Sequence, residues 1–282
     1  MKNIITLFIL TLFFTAGFSQ TNKTNDMIKE PYYMIDFRAS ACAFDILIND
    51  VSALTMDING QIGASAPINF LILESGQQQL EIIVRPNVGE TQFDENVNFS
   101  AVIKLYDVSE RFIFVEEGIT FEMNDEDKTK PICSYKSNFN AEVPYKLDAW
   151  QKSVNLDTVE SLREKVELAY KRLADIIAKG EYDTLRDVLE EREKNMAISM
   201  YLDEESSEKR LDGLIEDFEN GYEIEPLSGT EIMYLYANSK LVCLKTPEGD
   251  SALRLRHKET NEMMTVEVVF HLKHGEIELS VI

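Results

Sequence analysis

The amino-acid sequence predicts two folded units: an all-β sandwich, followed by an α+β roll in which three helices precede a curved antiparallel sheet. Short runs of aromatic and β-branched residues, separated by Gly, Asn, Asp and Pro, fill residues 31–145 and are typical of a sandwich. From Val159 onward, apolar residues recur every three to four positions, which is the spacing of one helix face. The length of 282 residues favours two domains over one.

Residues 1–19 have the pattern of a cleavable secretory signal peptide. Lys2 gives a positive start, residues 4–14 are mostly apolar, and Gly17 and Ser19 supply small residues for cleavage before Gln20. The apolar run is shorter than the roughly 20 residues that a permanent membrane helix needs. We therefore expect export to the periplasm or the extracellular space, with polar residues 20–30 as a flexible lead-in.

The sandwich is predicted from eight short strand patterns, which alternate or are continuously apolar and are closed by turn residues. Asn49 and Asp50 predict one such turn. The predicted strands cover residues 32–37, 42–48, 68–73, 79–84, 97–106, 111–115, 119–123 and 132–135.

The composition changes after Pro144, so residues 146–156 are predicted to link the sandwich to a second unit at 157–282. The first helix is expected to begin at Asp157 and to end at Gly180, and the second to cover residues 183–196. Ser206 and Ser207 are predicted to cap the third helix. Strands are then expected at residues 231–237, 241–245, 253–257, 265–273 and 276–282.

The chain is strongly acidic, with 28 Lys and Arg against 50 Asp and Glu and a net charge of −22. Nucleic-acid and anionic-membrane affinity both come largely from basic residues, so neither partner is expected. A protein, a basic one included, or a small molecule remains open as the partner. No phosphate-binding loop or dinucleotide fingerprint occurs, and no cofactor is predicted.

The three cysteines carry one structural hypothesis. Cys42 and Cys133 lie near the start and the end of the strand-rich region, where an exported chain could join them in a disulfide. Cys243 sits in an apolar strand and is expected to be a buried hydrophobe. Without a Cys-x-x-Cys pair or a nearby His, no metal site is predicted.

Candidate site residues come from strand parity. His257 shares parity with inward Leu253 and Leu255, which makes it a weak catalytic candidate, because no carboxylate accompanies it at a diagnostic spacing. Tyr234 and Tyr236 share one strand face and could line a ligand pocket, although core packing is the alternative. His271 is expected to face outward.

Two resemblances follow from these patterns. The order of one long helix, two shorter helices and several antiparallel strands in residues 157–282 resembles the NTF2-like (cystatin-like) α+β roll, which implies a cone-shaped pocket between helix and sheet. Residues 66–86, from Ala66-Pro67 through Ser75-Gly76 to Pro86, resemble immunoglobulin-like or jelly-roll accessory domains. Members of the NTF2-like class include isomerases and dehydratases, and also proteins that only bind.

The sequence therefore favours an exported, non-catalytic binding protein that recognises a protein or a small ligand. One alternative is an isomerase, dehydratase or hydrolase that acts on a small molecule in the roll pocket. Another is an immunity or inhibitor protein whose acidic surface meets a basic toxin or enzyme.

Overall fold

The computed structural model describes residues 28–282. The predicted signal peptide at 1–19 and lead-in residues 20–27 lie outside the described residues. No helix within 28–282 combines the length and the apolar character that a membrane span requires.

Residues 31–141 form one antiparallel sheet with the strand order β5-β4-β1-β3-β6, and β2 pairs with β1 alone. Asn49 and Asp50 both have positive φ and turn β1 into β2, as the sequence predicts. The strands are β1 (Pro31–Ile48), β2 (Val51–Pro67), β3 (Gly76–Arg85), β4 (Asn98–Asp107), β5 (Ile113–Glu122) and β6 (Cys133–Ala141).

Strand β1 makes this sheet curl. Its first part, Pro31 to Ser40, pairs with β4, and its last part, Ala43 to Ile48, pairs with β3. Between them Ala41 has a φ of 48°, and the pairing with β2 shifts at the same point. β4 and β3 therefore diverge, and the side chains between them form a core.

The core of the curled sheet is built on aromatic contacts that run from strand to strand. Phe44 of β1 lies 4.8 Å from Phe99 of β4, between ring centres. At the far side Phe121 of β5 stacks on Tyr135 of β6 at 4.8 Å, which brings the two ends of the sheet together.

Several strand predictions needed correction here. The predicted strands 32–37 and 42–48 are one strand, as are 111–115 and 119–123, and residues 68–73 contain a 3₁₀ turn at Asn69–Leu71. Strand β2 was missed. It contains Asp57, Gly60 and Gly63, which disfavour strands, and is held by backbone pairing along β1.

The helices are α1 (Leu162–Lys179), α2 (Tyr182–Ser199) and α3 (Glu204–Glu219). The predicted start of α1 at Asp157 is wrong, because Leu156–Thr158 form a 3₁₀ turn and Ser161 has a left-handed φ of 53°. The cap of α3 is Asp203, whose carboxylate accepts a hydrogen bond from the Ser206 backbone N–H at 2.8 Å. The predicted capping by Ser206 and Ser207 is therefore also wrong.

The remaining strands form two small antiparallel sheets, ordered β11-β10-β7 and β13-β12-β9-β8. This part is an α+β arrangement of three helices and antiparallel strands. Its strands are β7 (Tyr222–Ile224), β8 (Ile232–Tyr236), β9 (Leu241–Lys245), β10 (Arg254–His257), β11 (Met263–Thr265), β12 (Phe270–His271) and β13 (Ser280–Val281).

Strand β9 lies between two cores and is buried along its whole length. Val242 and Leu244 pack with the helices, whereas Leu241 and Cys243 pack with the strands of the first part. The segment predicted as a linker at 146–156 also packs against both parts: the Leu147 N–H donates to Leu73 O, and the Val154 N–H donates to Leu272 O. The four-stranded sheet thus has the helices on one face and the curled sheet on the other.

Candidate functional site

The space between α1 and the four-stranded sheet is filled by side chains. Tyr170 of α1 is buried there, with its ring 5.1 Å from that of Phe270. Its hydroxyl lies 3.1 Å from Leu244 O and 3.3 Å from Val268 O, and it accepts the Leu244 N–H at 3.0 Å. The position at which an NTF2-like roll would have its cone is therefore occupied by packed aromatic groups.

The opposite face of this sheet, which is turned to the curled sheet, carries a group of polar side chains. Tyr234 lies across from Cys243, Tyr236 across from Leu241 and Ile232 across from Lys245 in the β8–β9 register. Alternate residues of a strand share a face, so Tyr234, Tyr236, Cys243 and Lys245 lie on one surface. The two tyrosine rings stack at 6.1 Å with an interplanar angle of 13°.

Glu267 completes this group. Phe270 pairs with Val242 and His271 with Leu241, so the same register continued along the chain brings Glu267 opposite Lys245. The Tyr170 hydroxyl supports this continuation, since it contacts the carbonyl oxygens of both Leu244 and Val268. Glu267 is itself exposed, so it lies at the edge of this group.

The other wall of the cleft comes from the β1–β2 hairpin. Asp45 is close enough for its charge to act on the Tyr236 hydroxyl, and it accepts a hydrogen bond from Thr55 Oγ1 at 2.7 Å. The loop after β9 reaches the same hairpin, because a Cβ on Gly249 would lie 3.2 Å from Thr55 Cγ2. We call this contact region between the two parts the interface cleft; it comprises Tyr234, Tyr236, Cys243, Lys245 and Glu267 on one side and Asp45 and Thr55 on the other.

Burial dominates the electrostatics of the interface cleft. It raises the pKa of the Glu267 carboxyl, and the opposing effect of Lys245 is smaller. Burial also raises the pKa of the Tyr236 hydroxyl, and it raises the pKa of the Cys243 thiol to about 12. The Tyr236 hydroxyl and the Cys243 thiol are therefore neutral near pH 7.

His257, the weak catalytic candidate, caps a turn. Its Nδ1 accepts hydrogen bonds from the backbone N–H groups of Glu259 and Thr260, at 3.2 and 3.1 Å. That nitrogen is therefore occupied as an acceptor. The ring borders a depression of about 220 Å³, which is lined by charged residues that include Glu225, Arg256 and Lys258.

His271 is buried, so the prediction that it faces outward is wrong. Only 1 % of its surface is exposed, and its Nδ1 lies 2.7 Å from Ser153 Oγ. Parity places it correctly on the face away from α1. That face, however, is covered by protein rather than by solvent.

The Ser153–His271 pair extends towards Glu191, whose Oε2 is 3.8 Å from His271 Nε2. The order Ser153, His271, Glu191 has the residue types of a serine-hydrolase triad. Such an enzyme also needs backbone N–H groups that are free to stabilise an oxyanion. The N–H groups of Ser153 and Val154 are already bonded to Trp150 O and Leu272 O. The pair therefore fixes the 150–154 segment to β12, beside an open groove of about 790 Å³ between residues 146–149 and α2.

The hypothesised disulfide is absent, since Cys42, Cys133 and Cys243 are all buried free thiols. Cys42 lies on β1 and Cys133 on β6, with β3 between them. Two strand spacings amount to about 9.6 Å. This exceeds the roughly 7 Å Cα separation that a disulfide can bridge.

The predicted shared strand face of Tyr234 and Tyr236 is confirmed, and their role as ligand-binding residues stays a prediction. The sequence analysis did not single out Lys245 or Glu267. Their signal was present, because each is a charged residue within an otherwise apolar strand pattern. Within residues 28–282, no group of three or more His, Cys, Asp or Glu side chains is arranged to hold a metal ion. Comparison with protein-family models, with curated proteins and with solved structures found no match.

Proposed function

We propose that this chain is an exported, non-catalytic binding protein that holds its ligand or partner in the interface cleft. The observation that carries the proposal is a group of polar side chains where the two parts of the fold meet. The β8–β9 register places Tyr234, Tyr236 and Lys245 on one face, and the β1–β2 hairpin brings Asp45 and Thr55 up to it. Such a group offers polar contacts to a bound molecule.

The position of the cleft supports the same proposal. Ligand sites occur preferentially between structural units, where two walls enclose a molecule. Here one wall is the β8–β9–β12 face and the other is the β1–β2 hairpin. The backbone N–H groups of Ala237 and Asn238 hold the walls together by donating to Asp50, at 2.9 and 2.8 Å.

The proposal keeps the order of elements of the NTF2-like class but not the pocket that is usual in that class. Three helices followed by antiparallel strands support it, whereas Tyr170 and Phe270 occupy the interior that an enzyme of this class would use. The pKa of the Glu267 carboxyl is raised, but no side-chain hydrogen bond contributes to the shift or orients the carboxyl. A general base needs such fixed geometry, so binding is favoured over catalysis.

Export belongs to the proposal on the strength of the pattern in residues 1–19. Mass spectrometry of the secreted or periplasmic protein should give an amino terminus at Gln20 or within about two residues of it. An intact Met1 in that fraction would contradict cleavage of residues 1–19 and would leave the cleft proposal untouched.

The cleft is tested by native mass spectrometry of the exported protein and of two variants. Tyr234→Ala removes a wall of the cleft, and Lys258→Ala removes a charge from the His257 depression as a matched control. We expect a bound molecule or partner on the wild type and on the control, and its loss from Tyr234→Ala. Equal retention by both variants would show that the binding site lies elsewhere.

A further inference from the structure

We propose that the open edge of strand β5 takes an extended basic segment of another protein as an added strand, with an Arg or Lys side chain of that segment on a patch of exposed aromatic rings. The surface lies beside the start of β1, whereas the interface cleft involves Asp45 near the end of β1. The inference therefore goes beyond the proposed function. An open strand edge, an aromatic cluster and an excess of carboxylates coincide at this surface.

The edge of β5 is open along its first half. Among the described residues, β5 pairs with β4 alone. On the other side Phe121 stacks on Tyr135 of β6, but this contact lies near the end of β5. Residues 113–118 therefore have an outer edge of backbone N–H and C=O groups that no strand of the described chain pairs. Such an edge can accept a further strand.

Four aromatic rings lie beside this edge, and we call them the β5 aromatic patch. Tyr106 of β4 lies across from Phe114 of β5 on one side and from Tyr32 of β1 on the other. The ring of Phe112 lies 5.0 Å from that of Tyr106 and 5.3 Å from that of Tyr32. Phe112 and Phe114 keep 56 % and 52 % of their surface exposed. Exposed rings can hold a cation, which lies within about 6 Å of the ring centre.

The charges beside the patch select a basic occupant. Strand β5 contains three glutamates and no basic residue. Lys104 of β4 is shared between two carboxylates, with Asp36 at 2.6 Å and Glu117 at 3.5 Å, which leaves a net negative charge. The charges of Asp36 and Glu117 act on the Tyr106 hydroxyl, so both lie next to the aromatic patch. The nearest base along the chain, Arg111, follows Glu110 and adds no net charge.

A basic strand uses all three features together. Its backbone pairs with the edge of β5, its cation lies on the aromatic rings, and the same cation meets the excess carboxylate. A second copy of this chain fits less well, because two β5 strands side by side would bring their glutamates together. A sugar could stack on the rings, but it would leave the strand edge and the charge unused.

Fluorescence anisotropy of the exported protein at pH 7 tests this with a labelled peptide of alternating Val and Arg, about seven residues long. One control peptide has Pro at the inner Val positions, which keeps the charge but removes the N–H donors that an added strand needs. A second control has Glu in place of Arg. We expect the Val–Arg peptide to bind and both controls to bind at least about tenfold more weakly. The Pro control separates strand addition from general attraction to an acidic protein.

Two variants locate the site. Phe114→Ala should lose at least about fivefold in affinity for the Val–Arg peptide, and Glu117→Gln about threefold. Both side chains are exposed, so both variants are expected to fold, which circular dichroism checks. Ile277→Ala, at a side chain with 78 % of its surface exposed elsewhere, is the matched control and should bind like the wild type.

No binding of the Val–Arg peptide, equal binding of the Pro control, or unchanged affinity in Phe114→Ala would each overturn the inference. Binding of cellohexaose that Phe114→Ala abolishes would assign the patch to a sugar. A wild-type dimer that Phe114→Ala dissociates in analytical ultracentrifugation would assign it to a second copy, and either result would also overturn the inference. Tyr234→Ala, which alters only the interface cleft, should bind the peptide normally, so the two proposals fail separately.

Discussion

Replacing Tyr170 by phenylalanine tests whether the space between α1 and the sheet is a sealed core. The change keeps the ring against Phe270 and removes only the hydroxyl. The Leu244 N–H, accepted at 3.0 Å, then loses this partner, whereas Leu244 O keeps the Ala252 N–H, which donates to it at 3.0 Å. No water can replace the hydroxyl in a filled core, so the Leu244 N–H becomes unsatisfied.

Each unsatisfied buried polar group costs about 1 to 3 kcal/mol. Tyr170→Phe should therefore lower the free energy of unfolding by about 1 to 3 kcal/mol, which for a chain of this size lowers Tm by at least about 2 °C. Urea titration followed by circular dichroism measures the change. The matched control is Tyr234→Phe, whose hydroxyl has no partner in the described chain and which should change stability by less than about 0.5 kcal/mol. Equal stabilities of the two variants would falsify the sealed core and reopen the roll interior as a ligand site.

Four further outcomes are expected. Asn69 is fully buried, accepts the Tyr33 N–H, and donates to Pro31 O and Ser199 O. Asn69→Ala should therefore lower the free energy of unfolding by about 3 kcal/mol. The whole chain should still unfold in one calorimetric transition, and two transitions would show that its parts unfold independently. Burial lowers the folded-state pKa of His271 below 6.5, so stability should fall as the pH drops below about 6.5; His271→Gln should flatten that slope in urea titrations at pH 5 and 7.5, and an unchanged slope would count against the reasoning. His257→Ala should cost about 1 kcal/mol and leave binding intact, and calorimetry with the native ligand would show any loss. All three cysteines should react with iodoacetamide in denaturant without prior reduction, and a mass deficit of two labels would show a disulfide.

Elements that are held by their own side chains were predictable from the sequence. Strand β9 has the predicted bounds, because a short apolar run that is buried on both faces is typical of a buried strand. Strand β2 was not predictable, because its pairing with β1 is a property of the partner rather than of its own residues. The local sequence pattern therefore predicts β9, whereas β2 depends on its tertiary pairing with β1.

The site was only partly predictable for a related reason. Parity gives the face on which a side chain lies, but it does not tell what covers that face. His271 therefore turned out buried, and Tyr234 and Tyr236 turned out to face a second wall that contains Asp45 and Thr55. A cleft formed by residues so far apart in the chain exists only after the two parts have packed together.

The long strand β1 has a consequence for the order in which the chain acquires its structure during synthesis. It is the first strand of the described residues to be made, and β2 can pair with it at once as a local hairpin. Its other edge stays open until residues 76–107 have been added, because β3 and β4 supply the two halves of that edge. An unpaired strand edge next to buried Ile35, Phe37 and Phe44 is a template for wrong pairing. The nascent protein is therefore most prone to aggregation in the interval between the completion of β2 and the arrival of β4.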